Sequence, residues 1–474
     1  MTKSKVIKNG IVVTSVREFV ADVRVENGII TEIAENGGLI ADEIIDASGC
    51  YVIPGGIDTH THFENPTLAF TTRSTDDFYN GTVAAALGGT TCIIDFVKTE
   101  PGTTLTESFE ARRAIAESKC VIDFGLHPVV PIGTTETNGV DELEALAKNH
   151  GAMSWKLFMA YPGSLMVDDQ TLIEVMRLAS QLGVLPILHA ENGHIVADAT
   201  RLLIESGKTS EHFHHDSHPH VAEAEAVYRA ISIGEYVNSP VYIVHVSSGR
   251  AAAEIARAKQ KGQQVFGETC PQYLLTSLED YEGKGFPAAA YVCSPPIRER
   301  SNQGALWAAL KSGDLDTLAT DHAPFSMCEE ACFPPQKSNG KGYFPHIPNG
   351  VPGVEERLMV MYESGVVGKQ FDMKKFVELT ATKPAKLFGL YPQKGEIRVG
   401  ADADIVVWNP KASRVLTSET LQSKAGYTLY EGQQVSGSPT YVLSRGETLV
   451  SPSTQEMTAG RGRYLHRTAT VIDI

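Results

Sequence analysis

The sequence predicts an α/β protein: a (β/α)8 TIM-like barrel with a β-sandwich domain formed by the N- and C-terminal segments. Three observations lead there. Apolar, strand-like runs recur at 92–97, 121–130, 154–160, 184–189, 241–246, 264–269 and 317–320, besides an opening run at Tyr51. Helix-compatible segments separate them, at 76–87, 105–118, 140–149, 168–182, 222–236, 249–261 and 301–311. Both ends of the chain instead have the texture of short strands and turns. Eight strands alternating with helices is the pattern of a barrel whose chemistry sits at the C-terminal strand ends. A doubly wound open sheet is the alternative, and the lack of a Gly-x-Gly-x-x-Gly or Walker-type loop after the first strand counts against it.

Taken in order, Val6-Ile7 and Ile11-Val12-Val13 flank Lys8-Asn9-Gly10, a hairpin signal, and Val23-Arg24-Val25 is separated from Ile29-Ile30 by Glu26-Asn27-Gly28. A similar texture returns in Ala403-Asp404-Ile405-Val406-Val407-Trp408 and in Tyr441-Val442-Leu443 before Arg445-Gly446. Chain termini often lie close together, so the two ends are expected to pair. The expected division is 1–54 and 391–474 for the β-sandwich domain and 55–390 for the barrel.

Composition narrows the class. The 474 residues are 42% hydrophobic and 21% charged, ordinary for a globular protein able to bury a sizeable core. A formal net charge of −16 argues against nucleic acid or an anionic membrane as partner. Seven scattered cysteines suit reduced thiols in the cytoplasm better than a disulfide framework. Cys328 and Cys332 form the one close pair, and with no second pair or adjacent histidine cluster a structural zinc is not expected there. No signal peptide or membrane span is expected.

The motif Gly55-Gly56-Ile57-Asp58-Thr59-His60-Thr61-His62 carries the first chemical signal. Successive side chains of a strand point to opposite faces, so His60 and His62 project to the same side and can grip one ion. Further metal-capable groups fall at other strand ends: Lys156 in the fourth strand, His189 at the end of the fifth, His245 of the sixth and Asp321 of the eighth. Six such groups at one end of one barrel are hard to explain separately. Lys156 stands between Trp155 and Leu157, where an ammonium is costly to desolvate. Burial lowers a lysine pKa and leaves a nucleophilic amine that can take up carbon dioxide as a carbamate, an anion with two oxygens for two cations.

These motifs resemble those of the cyclic amidohydrolases, specifically the dihydropyrimidinase and hydantoinase family. The resemblance rests on residues 56–62, on Lys156-Leu157-Phe158-Met159-Ala160-Tyr161, on His189-Ala190-Glu191-Asn192-Gly193 and on Val292-Cys293-Ser294-Pro295-Pro296-Ile297-Arg298. It extends to residues 319–325 and to Ile347-Pro348-Asn349-Gly350 with the segment that follows. It implies a dinuclear zinc site, with manganese or cobalt as alternatives: His60, His62 and Asp321 on one ion, His189 and His245 on the other, and carboxylated Lys156 with a hydroxide bridging both. It further implies Asp321 as general base and acid, Tyr161 as hydroxyl donor to the developing oxyanion, and backbone contacts from Ser294 and Asn349 to a cyclic imide. The implied reaction is hydrolytic ring opening of 5,6-dihydropyrimidines or 5-substituted hydantoins to N-carbamoyl amino acids, in a homotetramer or homodimer. Allantoinase- or dihydroorotase-type activity is the alternative, and a non-catalytic interaction protein of the dihydropyrimidinase-related kind is a further one.

Three stretches depart from the family pattern. Ser217-His218-Pro219 lies where relatives usually carry arginine, within the histidine-dense segment 212–220, which reads as a solvated loop rather than a third metal site. The loop 325–342, with Cys328, Cys332 and Pro334-Pro335, is longer than the family norm, and Phe63-Glu64-Asn65 replaces an apolar continuation.

Overall fold

The computed structural model describes residues 4–67, 72–328, 335–453 and 456–470. Cys332 and Pro334 lie outside the described residues. The chain is α/β. The two β-rich ends pair into one eight-stranded sheet. Its strands run in the order Glu447–Val450, Gln434–Ser444, Ile405–Val415, Tyr51–Pro54, Lys5–Val13, Glu18–Glu26 and Ile29–Ala34, and Glu43–Asp46 also pairs with Lys5–Val13. Ile7, Val12, Val23, Val52, Ile405, Val407 and Leu443 form the apolar core of this layer.

The middle of the chain supplies eight parallel strands. Gly56–Thr61, Thr90–Val97 and Asp123–Pro128 form one sheet. Ser154–Phe158, Leu185–His189, Val241–Ile243, Val265–Thr269 and Thr317–Leu318 form the other. Isolated parallel bridges Val129↔Lys156 and Thr61↔His322 connect the outer strands of the two sheets, and His62 N donates to His322 O at 2.8 Å.

The expected first strand is in fact two. Tyr51–Pro54 belongs to the terminal sheet, antiparallel to Ile405–Trp408, and a separate strand begins at Gly56. The chain crosses between layers at Gly55, where a Cβ would sit 2.0 Å from Thr91 Oγ1, so only glycine passes. The apolar run Cys50-Tyr51-Val52-Ile53 stops at Pro54, but that stop does not show that the residues before and after it pair with different sheets.

Helices follow most parallel strands, and local capping sets several starts. Asp77 accepts from Asn80 N ahead of Phe78–Leu87, and Thr104 with Glu107 forms a reciprocal capping box at Leu105–Lys119. Asn192 accepts from His194 N and Ile195 N and opens Gly193–Glu205, a helix absent from the segments expected on apolar spacing.

Alternation within Ser154–Phe158 settles where Lys156 points. Trp155 and Leu157 join the cluster that contains the helix residues Leu172, Val175 and Met176. Phe158 joins Phe96, Ile187, Tyr242, Val244 and Phe266 in the cluster between the strands. Lys156 shares the Phe158 face and is therefore directed inward, 1% exposed.

Candidate metal centre

One cavity of about 190 Å³ opens at the C-terminal ends of the parallel strands and is lined by His60, His62, Lys156, Tyr161, His189, His245, Ser294, Asp321 and Asn349. Every site residue read from the sequence is in that wall. Within it, donor atoms of His60, His62 and Asp321 lie within 4.8 Å of one another. His60 Nε2 stands 3.2 Å and His62 Nε2 3.0 Å from the same oxygen, Asp321 Oδ1.

His189, His245 and Lys156 are neighbours of this trio but are not gathered at the same donor distance. The His189 and His245 rings are 4.6 Å apart between centroids, and those of His60 and His245 5.3 Å. Lys156 Nζ lies 5.1 Å from the Phe96 ring centroid and 4.9 Å from that of Phe158. Tyr161 stands over His189 at 5.5 Å, and Asn349 Nδ2 donates to Ser294 Oγ at 2.9 Å.

Protonation states favour cation binding. Burial pushes the imidazoles of His62 and His189 down to about 3, so both are neutral at physiological pH and carry a free lone pair. Burial likewise brings Lys156 down to about 8, so an appreciable fraction is the free amine near neutrality. Burial alone would raise the Asp321 carboxyl, but His60, His62 and Lys156 outweigh it and hold it below the usual range. Burial raises the Tyr161 phenol and keeps it a hydrogen donor.

The donor set fits divalent metal on a further observation. His60 Nδ1 donates to Glu268 Oε1 at 2.7 Å, and His189 Nε2 donates to Glu191 Oε2 at 2.9 Å. In each ring the other nitrogen is thereby left as an acceptor, the carboxylate–histidine–metal arrangement. His245 Nδ1 is buried without a hydrogen-bond partner, another nitrogen suited to a cation.

Glu268 is the residue that sequence reasoning missed. Fully buried at the end of Val265–Thr269, it accepts from His60 Nδ1 and His245 N (3.1 Å) on one oxygen and from Thr59 Oγ1 (3.2 Å) and Tyr242 OH (2.9 Å) on the other. Its place at the end of the seventh strand was the available signal. Asn65 and Lys98 also line the cavity, and Phe96 stacks on His62 at 4.6 Å.

Three site residues hold left-handed backbone: Tyr161 at φ 66°, His245 at 40° and Asp321 at 53°. Each lies just past a strand, where the chain turns and the side chain must still face the cavity. Such conformations cost on the order of 1–3 kcal/mol and persist where the surroundings over-determine them.

The histidine-dense segment is not the solvated loop expected. His214, His215 and His218 are all under a tenth exposed. His214 Nε2 donates to Cys293 O at 2.8 Å, and Arg298, which pairs with Glu223 at 3.1 Å, donates to His218 O. The segment packs on the stretch that carries Ser294, which is why it is buried.

Comparison with known proteins agrees with this geometry. Residues 51–449 match the amidohydrolase family. A D-hydantoinase of Streptomyces coelicolor is 42% identical over 98% of both chains, and a dihydropyrimidinase of Rattus norvegicus is 39% identical over 97% of this chain and 88% of its own. The crystal structure of a dihydropyrimidinase from Brevibacillus agri superposes with a TM-score of 0.94 at 41% identity, covering 99% of this chain and 100% of that one. With matched residues, near-complete coverage and a shared fold, the chain belongs to the dihydropyrimidinase and hydantoinase family of cyclic amidohydrolases.

Proposed function

We propose that this protein opens 5,6-dihydropyrimidines or 5-substituted hydantoins hydrolytically to N-carbamoyl amino acids. The observation that carries the reading is the convergence of four histidines, Lys156 and Asp321 with Tyr161, Ser294 and Asn349 around one cavity. The same reading takes the eight parallel strands as a closed (β/α)8 barrel, residues 55–390, and the terminal sheet as a β-sandwich domain from 1–54 and 391–474; the two bridges between the parallel sheets and the crossing at Gly55 support it.

His60, His62 and Asp321 would hold one divalent ion and His189 with His245 a second, with a carbamate on Lys156 between them. Nitrogen and oxygen donors without thiolate favour zinc, and manganese or cobalt suit the same set. When bound, the ions supply hydroxide near neutral pH and polarise the ring carbonyl. Asp321 takes the proton of the attacking oxygen and returns it to the leaving ring nitrogen. The C–N bond breaks, the carbonyl carbon becomes a carboxylate and the released nitrogen becomes the amino end of the carbamoyl group. Tyr161 donates its hydroxyl to the carbonyl oxygen as charge develops there. Backbone groups of Ser294 and Asn349 orient the imide, and their side chains, bonded to each other at 2.9 Å, brace that wall. Contacts to the common ring leave the substituent free. The family pattern also supports a homotetramer, or a homodimer, and seven scattered cysteines suit residence in the cytoplasm.

Metal content measured together with turnover of dihydrouracil, hydantoin, allantoin and dihydroorotate tests the reading. Metal-bearing protein that opens dihydrouracil or hydantoin is expected. Metal-free, inactive protein would point to an interaction role, and a preference for allantoin or dihydroorotate would overturn the substrate assignment.

A further inference from the structure

We infer that His215, His220 and Glu299 form a further divalent-metal site, separate from the cavity described above and independent of the proposed reaction. His215 lies in the short helix Phe213–Asp216, His220 begins the helix His220–Val237, and Glu299 immediately precedes the turn Arg300–Asn302. Their donor atoms lie within 4.8 Å of one another, and none of the three residues lines the cavity at the strand ends.

The donor spacing and one unpartnered buried nitrogen point to a cation. Metal–ligand bonds of about 2.1 Å in a tetrahedral site set donor atoms about 3.4 Å apart. His215 Nε2 is 3.6 Å from Glu299 Oε1, near that spacing, and His220 Nε2 donates to Glu299 Oε2 at 2.9 Å, a hydrogen bond that a bound ion would replace. His215 is 8% exposed, and its Nε2 is buried with no hydrogen-bond partner. Its Nδ1 donates to Asp216 Oδ1 at 3.2 Å, which leaves Nε2 as the acceptor in the neutral ring. A buried acceptor then faces a carboxylate oxygen. A divalent ion satisfies both, and the Asp216 contact is the partner that metal-bound imidazoles commonly have.

Two imidazoles and a carboxylate are a zinc-type donor set. His220 and Glu299 are partly exposed, so water can complete the coordination from the solvent side. An ion here would tie the segment 213–220 to the 294–299 stretch, which His218 already touches through Ser294 Oγ at 3.3 Å. Its position makes it a clamp on the wall that carries Ser294, while the reacting atoms lie elsewhere.

Zinc counted per chain after equilibration of the full-length protein with Zn2+ tests the site. Wild type is expected to hold one equivalent more than His220→Gln and one more than Glu299→Gln, with circular dichroism showing each variant folded. Crystals of the wild type soaked in the same Zn2+ are expected to give an anomalous peak between the three side chains. Equal zinc counts in wild type and both variants, or no anomalous peak at a concentration that fills the centre at His60 and His62, would overturn the assignment.

Discussion

At the scale of single residues, the centre depends on groups that touch no substrate. Glu268 fixes the tautomer and orientation of His60 through a 2.7 Å contact and also receives the backbone of His245. Glu268→Gln preserves volume but removes the charge, and outer partners of this kind are worth about 10–100-fold in metal affinity. Competition with a chelator should register that loss, with circular dichroism unchanged. Lys156 is the second case. Its inward direction and a pKa brought down to about 8 by burial make the amine available to carbon dioxide. Reloading metal-free wild type in the presence of bicarbonate should therefore raise metal uptake, and Lys156→Ala should show neither the bicarbonate effect nor two tightly bound ions. A variant that keeps both would refute the bridging role. His60, His62, His189, His245, Lys156 and Asp321 were legible in the sequence because each sits at a strand end or alternates with apolar neighbours. Glu268 sits at a strand end too and was missed; what marks its role, the contact with His60, is not local in the sequence.

At the scale of elements, the decisive feature is the break between Tyr51–Pro54 and Gly56–Thr61. Gly55 N donates to Asp404 O at 2.9 Å, and a Cβ added at Gly55 would run into Thr91. Gly55→Ala should destabilise by at least about 1–3 kcal/mol, the usual cost of forcing an extra methyl into a packed site. Gly304→Ala is the matched control. That glycine is in the helix Gln303–Ser312, and nothing lies within 4 Å of where an added methyl would sit, so the change should stabilise by about 0.5–1 kcal/mol. Thermal denaturation of the two variants should move in opposite directions. Most helix positions between the strands were readable from apolar spacing, the helix Gly193–Glu205 excepted. The split strand was not, because pairing with Ile405–Trp408 depends on a segment some 350 residues away. The burial of 212–220 escaped for a similar reason: polar composition is the local property, and contact with Cys293 and Arg298 is the one that determined the outcome.

At the scale of the whole molecule, charged groups buried between layers join the parts. Lys394, 2% exposed, reaches Asp123 at 2.9 Å on a parallel strand, Asp402 at 3.0 Å and Asp404 at 2.8 Å beside the terminal sheet. Burial opposes its charge, but Asp404, Asp123 and Asp402 prevail and hold its pKa well above the ordinary lysine value. Glu355 is matched less closely. The guanidinium facing it, that of Arg414, stands 3.7 Å away, and burial pushes the Glu355 carboxyl up to about 8. A raised carboxyl means that the folded state binds the proton more tightly than the unfolded state. Its contribution to stability is thus fully present below about pH 4.3, the ordinary glutamate value, and is lost as pH rises towards 8. Glu355→Gln should remove that slope, leaving the variant more stable than wild type at pH 8, as denaturant titrations at pH 5 and pH 8 would measure.

What the sequence by itself determined is the alternation of strands and helices, the β-rich ends and the metal-capable side chains at the strand ends, because each follows from periodicity or turn chemistry within a few residues. Only the tertiary structure decided which of those side chains share a cavity wall, that Glu268 meets His60 across 208 positions, and that His220 faces Glu299 across 79. Those contacts depend on how the parallel strands are ordered and in what register they pair, and no local pattern of residues encodes either.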